Sequence, residues 1–475
     1  MPTNTADSLL RKKWHKHPRI LELPTWPWLG TLSSKYGYPV TLANIPEPEI
    51  EGETRHFDMV WLMGVWERSP RGRDIALNHP GVRNEYHRAL QDFRDEDVVG
   101  SPYSVHRYRV DSRLGGPEGL AVFRAQLAER GLGLLLDFVP NHVALDHDWT
   151  SQRPPSFIRA TKEEWQSCPN GFFRVGDEYI AHGKDPNFPP WTDTAQINAF
   201  STDARRTLES TIMDIAEQCD GVRCDMAMLV TNQVFSRTWG EKAGAIPDVE
   251  FWETIIPQIR ERLPSFIFMA EVYWDMEWQL LEQGFDYCYD KRLYDRMAHG
   301  NADAVCAHLA ADLDYQEKLV RFIENHDEDR AAVVFEERSR ATAVLALTLP
   351  GAKLVHDGQT RGHRIHVPVQ LGRKPWEKDN EETAELYGRL LEAASLKELR
   401  EGTWSLCEIE SGGKLENRRQ LIAYEWKLED SKVLVIVNFG PNPIREQALI
   451  CGSSFSSGRW FCRDLLSNTS YFLED

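Results

Sequence analysis

Short apolar runs alternate with amphipathic stretches along most of the chain. Residues 19–25, 58–63, 133–139, 221–225, 266–271, 285–289, 319–325 and 352–355 each read as a strand. Between the second and third, residues 118–130 place Leu120, Phe123 and Leu127 at helical spacing, and Gly131 supplies a stop signal. Ahead of the fourth, Thr202 or Asp203 stands where a helix bearing Leu208, Ile212 and Ile215 needs its cap. A helical stretch over 249–262 leads through the turn signal Pro264-Ser265 into the fifth strand. Eight strands alternating with helices predict parallel pairing through right-handed crossovers, closed into a (β/α)8 TIM barrel.

Two regions break the alternation. Residues 141–201 are loop-rich, with Pro154-Pro155 and Pro189-Pro190, and are expected to form a subdomain inserted after the third strand that walls a cleft. Beyond the helix-like 383–400, the strand-like 420–426 and 433–439 flank the polar stretch 427–432, which predicts a small antiparallel β-domain. The expected division is a barrel over 1–140 and 202–400, an insert over 141–201 and a C-terminal β-domain over 401–475. The charged run 375–385 reads most simply as a solvated loop and helix start.

Composition narrows the function. The 55 basic and 73 acidic side chains give a net charge of −18, which repels phosphate backbones and anionic lipid. Neither nucleic acid nor a membrane surface is therefore an expected partner. No apolar run approaches the roughly 18 residues needed to cross a bilayer. The basic start through Arg11-Lys12-Lys13 has no apolar stretch behind it, so no secretion signal is expected. The eight cysteines are scattered without a Cys-x-x-Cys pair, which points to reduced thiols in the cytoplasm. Sixteen Trp and fourteen Tyr suit stacking on sugar rings, or simply core and rim packing.

The acids bear the chemistry. Asp137, Asp225, Glu271 and Asp327 each fall at or just past the end of a strand, and parallel-barrel active sites collect at that face. One acid there is commonly a helix cap. Four, with His142 and His326 close by, point to a site. Arg223 and Asp225 lie two apart on one strand, so they share a face, and the guanidinium keeps the carboxylate ionised and directed as a nucleophile needs. The apolar run 266–270 before Glu271 and Val272-Tyr273-Trp274 after it predict a surround that raises a carboxyl pKa, as a proton donor needs. Two carboxyls with environments pushed apart are the arrangement glycosidases use.

Taken in order, Asp137 with Phe138-Val139-Pro140-Asn141-His142, then Gly221-Val222-Arg223-Cys224-Asp225, Glu271, and Phe322-Ile323-Glu324-Asn325-His326-Asp327 resemble the four motifs of the α-amylase family of glycoside hydrolases. Residues 101–108 resemble the family's stretch after the second strand. The resemblance implies a barrel with an excursion after its third strand and a C-terminal β-domain. It implies a retaining enzyme acting on α-glucosidic bonds of an α-glucan or oligosaccharide. Asp225 would be the nucleophile, Glu271 the proton donor and then acceptor, and Asp327 the grip on sugar hydroxyls in the transition state. Arg223 would orient Asp225, His142 and His326 would bond ring hydroxyls, and Tyr103 would stack on the sugar. Asp137 reads as scaffold.

The chain departs from the starch-cleaving pattern after Asp225. Met226-Ala227-Met228-Leu229 stand where many members carry a Lys-His pair that lines the acceptor side and helps a calcium site. Asn141 matches a family calcium ligand, so a structural calcium there is the one cofactor raised, and none is otherwise expected. His356, His363 and His366, with Arg361 and Arg364, either line the site or sit on a surface loop, the simpler reading. Cys224 faces away from Asp225 and reads as packing. A transition-metal hydrolase would need a His-x-His or Glu-x-x-His pattern that no strand end carries. A silent carbohydrate-binding relative is the rival from another class. Transglycosylase or phosphorylase activity uses the same carboxylates and differs only in acceptor.

Overall fold

The computed structural model describes residues 14–410, 420–443, 447–449 and 460–473. Eight parallel strands close a barrel: β1 (Arg19–Pro24), β2 (Met59–Met63), β3 (Gly133–Phe138), β4 (Gly221–Cys224), β5 (Ile267–Ala270), β6 (Tyr287–Tyr289), β7 (Leu319–Arg321) and β8 (Ala352–His356). Each pairs with its sequence neighbours, and β8 closes onto β1. Every residue of β2, β3, β4 and β5 is buried, which is why these strands read as continuous apolar runs instead of alternating ones. The register sets Arg223 of β4 against Asp137 of β3 and Met269 of β5.

The chain divides into two compact units. The first contains 21–289 and 365–376. Its helix α1 (Gly116–Glu129) ends before Gly131, whose φ of 77° only glycine adopts without strain. Helix α2 (Thr202–Ala216) is capped one residue earlier than expected: Ser201 Oγ accepts from the Ala204 N–H. Thr202 and Asp203 already lie inside the first turn. Helix α3 (Phe251–Arg262) follows the expected stretch. The excursion after β3 carries a ribbon of His142–Ala144 against Thr194–Gln196, and a three-stranded sheet of Arg159–Ala160, Glu178–Ala181 and Phe172–Val175. A second ribbon, Trp66–Arg68 against Val105–Val110, was not expected.

The second unit contains 15–20, 290–364 and the described part of 377–475. The expected helix over 383–400 is two helices, α4 (Glu381–Ala393) and α5 (Lys397–Glu401). Strands β9 (Thr403–Leu406), β10 (Leu421–Leu428) and β11 (Ser431–Asn438) form an antiparallel sheet in that order. Its two long strands run on into the polar stretch 427–432 and turn at Glu429-Asp430, with Glu429 at φ 52°. Buried Tyr424 and Trp426 hydrogen-bond Thr348, at its hydroxyl and carbonyl, and so dock the sheet on the helix Ser339–Thr348. Under β7, buried Arg321 pairs with Asp290, which also meets His308 at 3.0 Å.

No helix of the described residues is long and apolar enough to cross a membrane. The described cysteines are all free thiols. Cys451 and the basic start over 1–13 lie outside the described residues.

Candidate active site

At the ends of β3, β4 and β5 the strand register brings one guanidinium and three carboxylates together. Arg223 is completely buried. Its Nη1 donates to Asp225 Oδ1 at 2.6 Å, and its Nη2 meets Glu271 Oε2 at 2.9 Å. Asp137 Oδ1 lies 3.9 Å from Nη1. Burial opposes the Arg223 charge, but the Glu271 and Asp225 carboxylates hold its pKa above the ordinary arginine value. The rings of Trp61, Tyr103 and Tyr289 surround the cation at 5.2, 5.0 and 5.9 Å.

Asp137 is spent on the neighbouring strand: its carboxylate accepts from Trp61 Nε1 at 3.2 Å and from the Gly64 N–H at 2.8 Å. Its carbonyl accepts from Trp66 Nε1 at 2.8 Å. Asp225 and Glu271 stand one residue past β4 and β5, both buried. The expected apolar surround of Glu271 is not what the fold provides. The Met226 N–H donates to Oε2 at 2.6 Å and Tyr273 Oη to Oε1 at 2.9 Å, beside the Arg223 contact. The apolar run 266–270 is spent in the barrel wall, whereas Glu271 clears the strand and meets the turn after Asp225. That turn puts Met226 in the left-handed region at φ 42°, the conformation that aims its N–H at Glu271.

Tyr103 is half-buried, with its ring over Arg223. His142 is buried, 5.2 Å from the Trp191 ring. Desolvation pushes its pKa down to about 4, against a hydrogen bond to the Tyr103 backbone that favours the charged form, so the imidazole is neutral at pH 7.

The second unit places His326 and Asp327 together on the loop after β7, five and six residues beyond its last residue, Arg321. His326 Nε2 lies 3.0 Å from Asp327 Oδ2; the histidine is buried and the Asp327 side chain is 44% exposed. His356 and His363 are not on a surface loop. Both are buried, His356 against Glu324 at 3.1 Å and His363 against Asp379 at 3.0 Å, so each is held by a carboxylate of its own unit.

No family model matches the sequence. Among curated proteins, the chain is 25% identical over 363 residues to the α-amylase MalA of Haloarcula japonica, covering 73% of this chain and 49% of that protein. It therefore spans about half the length of that relative. It is 24% identical over 433 residues to an intracellular maltogenic amylase of Bacillus subtilis, covering 80% of this chain and 68% of that one. Among solved structures, a noncanonic maltogenic α-amylase, AmyB of Thermotoga neapolitana, superposes with a TM-score of 0.67 at 18% identity, over 97% of this chain and 94% of that chain. Four ordered motifs on the expected strands and these sequence relatives agree. The chain is similar to α-amylases in sequence and shares their fold.

The expected calcium ligand, Asn141, is occupied by protein groups. The Asn141 amide oxygen accepts from Gln196 Nε2 at 2.9 Å, and its amide nitrogen lies 3.3 Å from both Gln196 Oε1 and His142 Nδ1. Calcium takes six to eight oxygens, commonly several carboxylates. An amide already satisfied by a buried glutamine beside a neutral imidazole does not suit it. Among the described residues, no three His, Cys, Asp or Glu side chains are grouped to hold a metal ion. The apolar residues after Asp225 form a buried turn, Ala227–Val230.

Sequence reading missed Trp61, Tyr289 and the Met226 N–H, and the donor role of Tyr273. Tyr273 lies in the stretch expected to give Glu271 an apolar surround, but beyond the end of β5 its hydroxyl turns to Oε1 as a donor. Trp61 and Tyr289 sit on strands read only as core, and the left-handed turn at Met226 has no sequence signature.

Proposed function

We propose that this protein is a retaining glycoside hydrolase that cleaves α-glucosidic bonds of an α-glucan or oligosaccharide by double displacement. The observation that carries the reading is the bridge from one buried guanidinium to both Asp225 and Glu271. A planar fork that grips one carboxylate at each Nη keeps them close, as retaining enzymes need at about 5–5.5 Å; inverting enzymes leave room for water at roughly 6.5–9.5 Å.

Arg223 holds Oδ1 of Asp225, which directs Oδ2 at the anomeric carbon while Glu271 gives its proton to the departing oxygen. The ester that forms removes the Asp225 charge. Arg223 is then left to Glu271, which favours the ionised carboxylate needed to take a proton from water in the second step. Two inversions retain the α configuration. The motif resemblance adds Asp327 as the grip on sugar hydroxyls, with His142, His326 and Tyr103 as sugar contacts. We place the enzyme in the cytoplasm, a reading supported by free thiols throughout the described chain and by relatives named intracellular.

The test is a product time course with maltooligosaccharides, sucrose, trehalose and glycogen, with and without phosphate. Reducing sugar formed in water alone is the expected result. Asp225→Asn and Glu271→Gln are each expected to lose at least about 100-fold in turnover while melting near the wild-type temperature. Wild-type turnover in either variant sinks the assignment. Sugar phosphate or longer oligosaccharides as main products would make the enzyme a phosphorylase or transglycosylase using the same carboxylates.

A further inference from the structure

The loop that carries His326 and Asp327 is closed from beneath by buried charge. Glu324 Oε1 accepts from Arg330 Nη1 at 2.6 Å and Oε2 from the Ala331 N–H at 2.7 Å, so one carboxylate joins the two ends of the loop. Arg330 Nη1 also reaches the Asp357 carbonyl at 2.7 Å and lies 3.0 Å from His356 Nδ1, itself 3.1 Å from Glu324 Oε1. An Nη carries two hydrogens, and the two shortest contacts take them. His356 Nδ1 therefore donates to Glu324 instead of accepting from Arg330.

Inside the loop the backbone is held as well. Asn325 Oδ1 accepts from the N–H groups of Asp327 and Glu328, both at 2.9 Å. Lys291 Nζ holds Glu328 at 2.8 Å. From Glu324 to Ala331, Asp327 and Asp329 are the exposed residues.

Burying a carboxylate, a guanidinium and an imidazole is costly, and apolar residues of equal volume often serve stability as well or better. A cluster placed under one loop is better explained by the geometry it imposes. We propose that Glu324, Arg330 and His356 are positioning residues for the reaction proposed above: they fix the loop so that His326 and Asp327 present one carboxylate to the sugar in one direction. The inference rests on that proposed function.

The test is a double-mutant cycle measured on maltotriose and on α-glucosyl fluoride, whose leaving group needs little acid help. Glu324→Gln and His356→Leu are each expected to lower kcat/KM by roughly 10- to 100-fold, the cost of misplacing a reacting group by about an ångström. In an Asp327→Asn background the same changes are expected to cost almost nothing further, because the group they position is already disabled. His356→Asn keeps a donor toward Glu324 and is expected to recover most of the rate lost in His356→Leu. Should Glu324→Gln fail to fold, the His356 pair carries the cycle alone. Equal losses in both backgrounds, or no rescue by His356→Asn, overturn the positioning role while leaving the glycosidase reading intact. A wild-type protein inert toward both donors removes the glycosidase reading itself, and the inference with it.

Discussion

Arg223 decides the electrostatics of the site, because one side chain serves two acids. Lysine at that position keeps the charge but has no planar fork, so it grips Asp225 or Glu271 and not both. Arg223→Lys is expected to lower kcat at least about 100-fold, since the nucleophile and the proton donor lose their common reference. The check is turnover on maltotriose with the melting temperature recorded alongside. Tyr273→Phe is milder. It removes one hydrogen bond to Glu271, worth about 1 kcal/mol or roughly fivefold in kcat/KM. The Arg223–Asp225 pair was legible because a period of two on a strand puts both side chains on one face. The donors around Glu271 were not. They come from a left-handed turn and from residues past the strand end, where alternation no longer says what faces what.

The barrel was legible because its strands are buried on both faces and bounded by turn signals, so seven stand within the stretches read from sequence and β8 overruns its stretch by one residue, His356. The ribbon Trp66–Arg68 with Val105–Val110 escaped because Val-His-Arg-Tyr-Arg-Val is too polar to read as core, and its partner lies some forty residues away. Short strands in the excursion escaped for the same reason, being held by pairing and not by an apolar face. One glycine shows how tightly the wall is built. A Cβ on Gly221 would stand 2.7 Å from the Ile267 carbonyl oxygen and 2.7 Å from Leu135 Cδ2, between the strands on either side of β4. Gly221→Ala is therefore expected to destabilise the protein by about 1–3 kcal/mol, as overpacking a close-packed core does. A chemical denaturation midpoint lowered at an unchanged slope is the measurement that checks it. An unchanged midpoint would mean that β4 shifts without cost.

At the scale of the whole molecule, acid is expected to unfold the protein through its buried histidines before its carboxylates matter. Burial pushes His17 down to about 2, and His142 and His147 to about 4, each from an ordinary value near 6.5. Below pH 6.5 the unfolded chain binds protons at these three positions that the folded chain refuses. Stability present above that pH is then lost as pH falls, by up to about 1.4 kcal/mol per unit for each group. Asp193 works in the opposite sense. Burial raises its carboxyl to about 6, so the folded state gains from protonating it before the unfolded state does. Burial lowers His182 as well and raises Glu250, so four imidazoles lose where two carboxyls gain, and the loss dominates between pH 6.5 and about 4. Relief of the −18 net charge also favours the folded state on acidification, but at about 0.15 M salt exposed charges farther apart than about 8 Å are largely screened. The melting temperature at fixed salt is therefore expected to fall steadily from pH 6.5 toward pH 4.5. His147→Gln, which has no proton to refuse, is expected to flatten that slope, and a slope unchanged in this variant would assign the acid sensitivity elsewhere.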